Sequence, residues 1–320
     1  MLNSTTNKRK FMRQSANSIL MIRPNDFGFN EETASDNHYQ NKDFTAGNSN
    51  ELAQKEFDEM VLNLRQNGIS VHVFQDDDSE HTPDSIFPNN WVSFHENGNV
   101  GIYPMYAENR RSERRPEVLD FLENEGYNIE NIVDYSSAES ENKFLEGTGS
   151  MILDRMNRIA YCSISKRSNE DLFIEFCEDF EFTPVLFNSF QSVENKRLPI
   201  YHTNVMMCVA TEYVIICLDS IDDRKQRKNV SKFINESGKK LIEISEKQVE
   251  SFAGNMLEVI NDNGESILVM SSSAEDSLNE NQKNIIMKYS KIISSDINTI
   301  ELCGGGSARC MMAEIFLPKK

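Results

Sequence analysis

One α/β domain of five like units closed into a ring is the fold this sequence predicts, on three observations. The order strand, strand, helix, strand recurs four times, the two chain ends supply the parts of a fifth unit, and reactive residues fall at one equivalent place in all five. Repeats at a fixed period point to radial or linear arrays. A unit completed by both ends of the chain favours closure over an open solenoid. A doubly wound sheet would alternate strand and helix without the hairpins.

The elements follow in order. Residues 1–17 begin MLNSTTNKRKFMRQ, polar and basic, and read as a flexible N-terminal tail ahead of a single domain, 18–320. Ser18–Arg23, the helix Glu51–Gln66, the strand Ser70–Gln75 and the C-terminal strand Cys310–Leu317 make the unit shared between the ends. Four hairpins are expected: Trp91–Tyr106, Ser150–Ser163, Thr203–Asp219 and Asn255–Ser271. Turns such as Glu96-Asn97-Gly98-Asn99 and Asn261-Asp262-Asn263-Gly264 suit them, since Asn and Gly tolerate positive φ. Helical periodicity follows each hairpin, over Ser112–Glu125, Asn169–Phe180, Asp223–Glu236 and Asn279–Tyr289. An extended segment then closes each unit: Ile129–Asp134, Pro184–Phe190, Lys240–Ile244 and Asn298–Leu302.

Composition narrows the function classes. The 320 residues carry a formal net charge of -18, which repels nucleic-acid phosphates and anionic lipid. With no apolar run long enough to span a bilayer, neither nucleic acid nor membrane is expected as a partner. The six cysteines form no C-x-x-C pair and match no zinc spacing, so a cytoplasmic chain with reduced thiols is expected. Self-association, as a homo-oligomer, is compatible with this surface.

The residues Asn90, Glu146, His202, Asn255 and Cys310 precede successive outgoing strands, spaced 56, 56, 53 and 55 residues apart. In a closed ring, equivalent positions converge on the axis, so polar groups far apart in sequence would share one cavity. Each has a structural reading when taken alone. His202 serves as a core histidine, Glu146 as a turn carboxylate, Cys310 as an apolar filler, and the asparagines as turn residues. Their common place in the repeat favours a site. Gly304, Gly305 and Gly306 stand just ahead of Cys310 without a P-loop Lys-Ser/Thr, and suit close backbone approach to a substrate or a flexible connector. Arg110, Arg111, Arg114, Arg115 and Arg167 are solvated charges or carboxylate grips.

Several motifs together resemble the guanidino-group-modifying (pentein) superfamily of arginine deiminases, dimethylargininases and amidinotransferases. They are Met21-Ile22-Arg23-Pro24, Phe29-Asn30-Glu31-Glu32-Thr33, Phe87-Pro88-Asn89-Asn90-Trp91 and Gly304-Gly305-Gly306-Ser307-Ala308-Arg309-Cys310. They look most like the branch of citrulline-utilisation hydrolases. The resemblance implies a five-bladed α/β propeller. It implies Cys310 as nucleophile, His202 as acid/base and Glu146 as the carboxylate orienting it. It also implies Arg167 and Arg114 as grips on an amino-acid carboxylate, and no metal or organic cofactor. Deiminases carry aspartates where this chain has Asn90 and Asn204. Neutral amides suit a neutral ureido group better than a guanidinium. The expected activity is hydrolysis of a ureido or guanidino C–N bond, most simply citrulline to ornithine, carbon dioxide and ammonia through a covalent cysteine intermediate. Arginine or methylarginine deimination, amidino transfer, and a non-enzymatic binding propeller are the competing expectations.

Overall fold

The computed structural model describes residues 13–41, 48–77 and 79–320. Within them, β1 (Ser18–Arg23) leads through α1 (Ser49–Gln66) to β2 (Ser70–Gln75). The hairpin β3 (Val92–Phe94) and β4 (Asn99–Ile102) is followed by α2 (Pro116–Asn124) and β5 (Asn131–Asp134). The single turn α3 (Gly147–Ser150) introduces β6 (Met151–Asp154) and β7 (Ile159–Ser163), then α4 (Glu170–Asp179) and β8 (Thr183–Phe187). A small hairpin, β9 (Phe190–Val193) and β10 (Lys196–Pro199), precedes β11 (Met207–Val209), β12 (Tyr213–Ile216), α5 (Arg224–Glu236) and β13 (Lys240–Glu243). Next come α6 (Glu246–Glu250), β14 (Leu257–Ile260) and β15 (Ser266–Ser271). The chain finishes with α7 (Ser272–Ser277), α8 (Glu280–Ile286), β16 (Lys291–Ser295), α9 (Asn298–Gly304) and β17 (Ala313–Glu314).

The larger strands form five three-stranded sheets among the described residues: β17–β1–β2, β3–β4–β5, β6–β7–β8, β11–β12–β13 and β14–β15–β16. In every sheet the first strand is antiparallel to the middle one and the third is parallel to it. An antiparallel step needs only a tight turn, whereas a parallel step needs a crossover, which a helix supplies here. Register carries apolar rows across each sheet, as where Cys208 pairs Ile215 and Ile215 pairs Ile242. The helices bury one stripe: α1 turns Ala53, Phe57, Met60, Val61 and Leu64 inward, at helical spacing. Side-chain caps set several starts, including Asn169 for α4, Asp223 for α5, and the reciprocal Asn279–Gln282 box for α8. No helix of the described residues is long and apolar enough to cross a membrane.

Four expectations change. Asn298–Leu302 is not a strand but the first turns of α9, and the fourth unit's closing strand is β16. The Glu56 carboxylate of α1 accepts the Thr299 and Ile300 amides at 2.9 and 3.1 Å, capping a helix from another element. The helix expected at Ser112–Glu125 divides into a 3₁₀ turn, Glu108–Glu113, and α2. Pro116 forces Arg115 out of the helical region and then starts α2 at its first position. The strand expected from Cys310 shrinks to Ala313–Glu314, with Cys310 in the preceding turn. Residues 1–12 of the expected tail lie outside the described residues, but Gln14, Ser15 and Ala16 are buried. The Gln14 amide donates to the carbonyls of Leu153 and Val209 at 2.8 and 3.2 Å and accepts from the Arg155 amide at 2.8 Å. It therefore stitches β6 to β11.

Candidate active site

A tight turn introduces the first strand of every unit, and these turns carry the reactive side chains. Asn90 ends a 3₁₀ turn, Pro88–Asn90, before β3, and Asn204 sits in another, Thr203–Val205, before β11. Glu146 immediately precedes α3, and His202 immediately precedes the Thr203–Val205 turn. Asn255 stands ahead of β14 and Cys310 ahead of β17. Because β11 packs beside β6 and β14, and β17 beside β3, the turns are gathered at one end of the sheets.

The side chains then meet. His202 Nε2 is 2.8 Å from Glu146 Oε2, and both residues are buried. The Cys310 sulfur accepts from Asn255 Nδ2 at 3.2 Å and from Asn204 Nδ2 at 3.4 Å. Asn255 is fixed in that orientation because its Oδ1 takes the Arg309 amide at 3.0 Å. Asn90 and His202 approach each other over Gly149. A Cβ there would stand 2.3 Å from Asn90 Nδ2 and 2.9 Å from His202 Nδ1, so only glycine fits. Gly304 and Gly306 are similarly obligatory, since a Cβ on either would meet the Phe87 ring at 2.9 or 2.8 Å.

Cys310, His202, Asn90, Arg110 and Arg167 line one cavity of about 20 Å³, with Asp84 at its wall. Both arginines are buried and each is paired with a carboxylate. Arg110 grips Glu113 with two bonds of 2.8 and 2.9 Å and donates to Asn90 Oδ1 at 3.0 Å. Arg167 grips Asp36 through Nε, at 3.1 Å, and through Nη2, donates to the Thr33 carbonyl at 3.0 Å, and stands 3.6 Å from Glu146. Its guanidinium carbon lies 4.8 Å from the Tyr201 ring centroid. Burial pushes the Glu146 carboxyl up, but Arg167, His202 and Arg110 outweigh it and hold its pKa at about 2. Burial lowers the His202 pKa against the opposing pull of Glu146. Burial also raises Glu113 to about 7 despite Arg110, and pushes Asp84 upward. Three polar atoms here are buried without a partner: Asn90 Nδ2, Asn204 Oδ1 and Asp84 Oδ1.

Of the residues singled out in sequence, Cys310, His202, Glu146, Asn90, Asn204 and Arg167 come together. Arg114 does not. It pairs with Glu139 and donates to the Tyr103 carbonyl, and the cavity arginine is Arg110 instead. Four arginines within six positions look alike in sequence, and the signal that separates them is Glu113, three residues beyond Arg110 and buried with it. Asp84 and Asp36 were also missed. Asp36 lies in an irregular segment without periodicity, and Asp84 is told apart only by its burial.

The sequence matches the family described as N,N dimethylarginine dimethylhydrolase, eukaryotic, over residues 23–317. No curated protein sequence gives a significant match. Among solved structures, apo ArgZ, an arginine dihydrolase from the ornithine-ammonia cycle in cyanobacteria, is similar with a TM-score of 0.73 at 18% identity. The match covers 95% of this chain and 41% of ArgZ, so this chain spans less than half of that protein's length. AgrE in complex with ornithine and NAD+ gives 0.68 at 18% identity, covering 95% of this chain and 40% of AgrE. A dimethylarginine dimethylaminohydrolase variant, held as an adduct with S-methyl-L-thiocitrulline, gives 0.60 at 15% identity, covering 94% and 100%. At such identities the likeness is one of fold: a mixed α/β chain of small sheets.

Proposed function

The chain belongs to the N,N dimethylarginine dimethylhydrolase family, and we propose that it is a cysteine hydrolase of a ureido amino acid, citrulline or a close relative. The observation that carries the ureido reading is the pinned amide of Asn90. Arg110 holds its Oδ1, so its unpartnered Nδ2 is a donor at the cavity. Asn204 holds the reverse, an unpartnered Oδ1 acceptor, while its Nδ2 serves Cys310. A urea offers one carbonyl acceptor and N–H donors, which suits one donor and one acceptor. A guanidinium offers donors only, leaving the Asn90 donor unanswered, and an unmet buried polar group costs about 1–3 kcal/mol. The second reading, hydrolysis of arginine or a methylated arginine, is favoured by the family membership itself.

In this mechanism the Cys310 thiolate attacks the ureido carbon. His202 in its protonated form, oriented by Glu146, gives a proton to the departing nitrogen. Loss of ammonia leaves a thiocarbamate on sulfur. His202, now neutral, takes a proton from water, whose hydroxide attacks and expels the thiolate. The carbamate formed decays to ornithine and carbon dioxide. Loss of ornithine before ammonia balances equally well. Asn90 would donate to the oxygen where negative charge develops. Arg167 would face the amino-acid carboxylate. The five sheets, with their near-equal spacing of reactive residues, are read as blades of a propeller whose axis passes through this site.

The test is product analysis with purified protein and citrulline, arginine and dimethylarginine in parallel, with mass spectrometry for an adduct on Cys310. Ornithine and ammonia from citrulline, absent in Cys310→Ala, are expected. Consumption of either guanidine with citrulline untouched refutes the ureido reading. In the double variant Asn90→Asp/Asn204→Asp the ratio of arginine to citrulline turnover should rise about tenfold or more, since each charge-assisted bond is roughly twice as strong as a neutral one.

A further inference from the structure

The cavity at Cys310 holds about 20 Å³, room for roughly one water. Pockets that enclose small molecules run to ~300–1,000 Å³. An amino acid with a ureido side chain therefore needs this site to open, and both arginines that face it already hold carboxylates. The two carboxylates differ in kind. Glu113 sits three residues from Arg110 on the same short turn, with its side chain 1% exposed. Asp36 arrives from 131 residues away, and its side chain is 14% exposed. It belongs to an irregular stretch, residues 27–41, whose Thr33 and Asn37 line the cavity. The end of that stretch is also fastened by neutral bonds to the last turn of α9. Asn37 donates to the Gly304 carbonyl at 3.2 Å, Gln40 to the Cys303 carbonyl at 3.1 Å, and the Asn41 amide to the Leu302 carbonyl at 2.8 Å. Asn30 also reaches the Asp84 carboxylate at 2.8 Å.

Taking the functional reading above as its basis, we infer that Asp36 occupies on Arg167 the place of the substrate's α-carboxylate, and that exchange of one carboxylate for the other opens the cavity to amino-acid substrates. Asp36 meets the guanidinium edge through Nε and Nη2, the two-pronged contact a free α-carboxylate makes. The exchange never leaves the buried guanidinium unpaired, which is the state that would be costly. It also releases the ion pair that ties residues 27–41 to the site. Selectivity follows from the same contact. A ureido amine without a carboxylate has nothing to offer Arg167 and leaves Asp36 in place.

Calorimetry in the Cys310→Ala background separates the possibilities, with citrulline, arginine and their decarboxylated counterparts, N-carbamoylputrescine and agmatine, as probes. Adding Asp36→Asn, which removes the competing charge, should tighten the amino acid that binds by about tenfold and its decarboxylated counterpart by less than about twofold. Adding Asp36→Glu, which restores a carboxylate to Arg167, should return the affinity to that of Cys310→Ala and guards against a merely damaged fold. Unchanged or weaker amino-acid binding in Asp36→Asn, or equal gains for the amino acid and its decarboxylated counterpart, overturns the inference while leaving the functional reading intact. Absence of binding by both amino acids, to Cys310→Ala and to Cys310→Ala/Asp36→Asn alike, refutes that reading, and this inference falls with it.

Discussion

At Glu146 burial competes with three neighbouring groups, and the balance decides the site's electrostatics. Burial alone would protonate this carboxyl, yet Arg167, His202 and Arg110 keep it ionised down to about pH 2. An ionised Glu146 is the main pull raising the His202 pKa, against the burial that lowers it. Replacing Glu146 with Gln removes that pull, so the imidazolium is lost at a lower pH. The alkaline limb of a kcat/KM profile should move to lower pH, and kcat should fall by ~10²–10⁴, the usual worth of a positioned acid/base. An unmoved limb would mean that His202 is not the titrating acid. That Cys310, His202 and Glu146 would meet was legible in sequence because each stands at the same offset in its repeat. Arg110 was not, because its neighbours Arg111, Arg114 and Arg115 have the same chemistry and differ only in what lies around them. Arg110 is enclosed with Glu113 and Asn90, while Arg114 reaches Glu139.

The turns before the first strands act as the unit of construction. Each is short because the strand begins at once, and close approach between turns excludes side chains at chosen points. Gly149→Ala should leave far-UV circular dichroism unchanged and still lower kcat/KM by ~10² or more, because a misplacement of about 1 Å costs that much. The added methyl collides with Asn90 Nδ2 and His202 Nδ1, and both belong to the site. Wild-type activity in that variant would show that the two side chains can part without consequence. Elements also show where pattern reading fails. Residues 298–302 contain Ile300 and Leu302 at alternate positions and invite a strand, but Glu56 caps the segment as α9. That cap lies 243 residues away in sequence, outside any local window. The β9–β10 hairpin was missed for the opposite reason. Its strands read Phe-Gln-Ser-Val and Lys-Arg-Leu-Pro, mixed in character and half exposed, so no apolar alternation marks it.

For the molecule as a whole, the join between chain ends matters most. β17 pairs with β1 and β1 with β2, so residues 313–314, 18–23 and 70–75 form one sheet. Gln14, just before β1, adds bonds to β6 and β11 on other sheets. Gln14→Ala leaves these buried backbone groups without partners, at about 1–3 kcal/mol. The melting temperature should drop by roughly 2–4 °C for each kcal/mol lost. An unchanged melting temperature would make the Gln14 bonds redundant. Five repeats, the split unit and the meeting of Cys310, His202 and Glu146 were determined by the sequence alone. Periodicity and offset are local or translational properties, and a linear text preserves them. The identity of the gripping arginine, the cap on α9 and the carboxylate already seated on Arg167 were decided by tertiary structure. Each depends on which charged side chain is enclosed beside which other, and enclosure exists only once distant segments have been brought into contact.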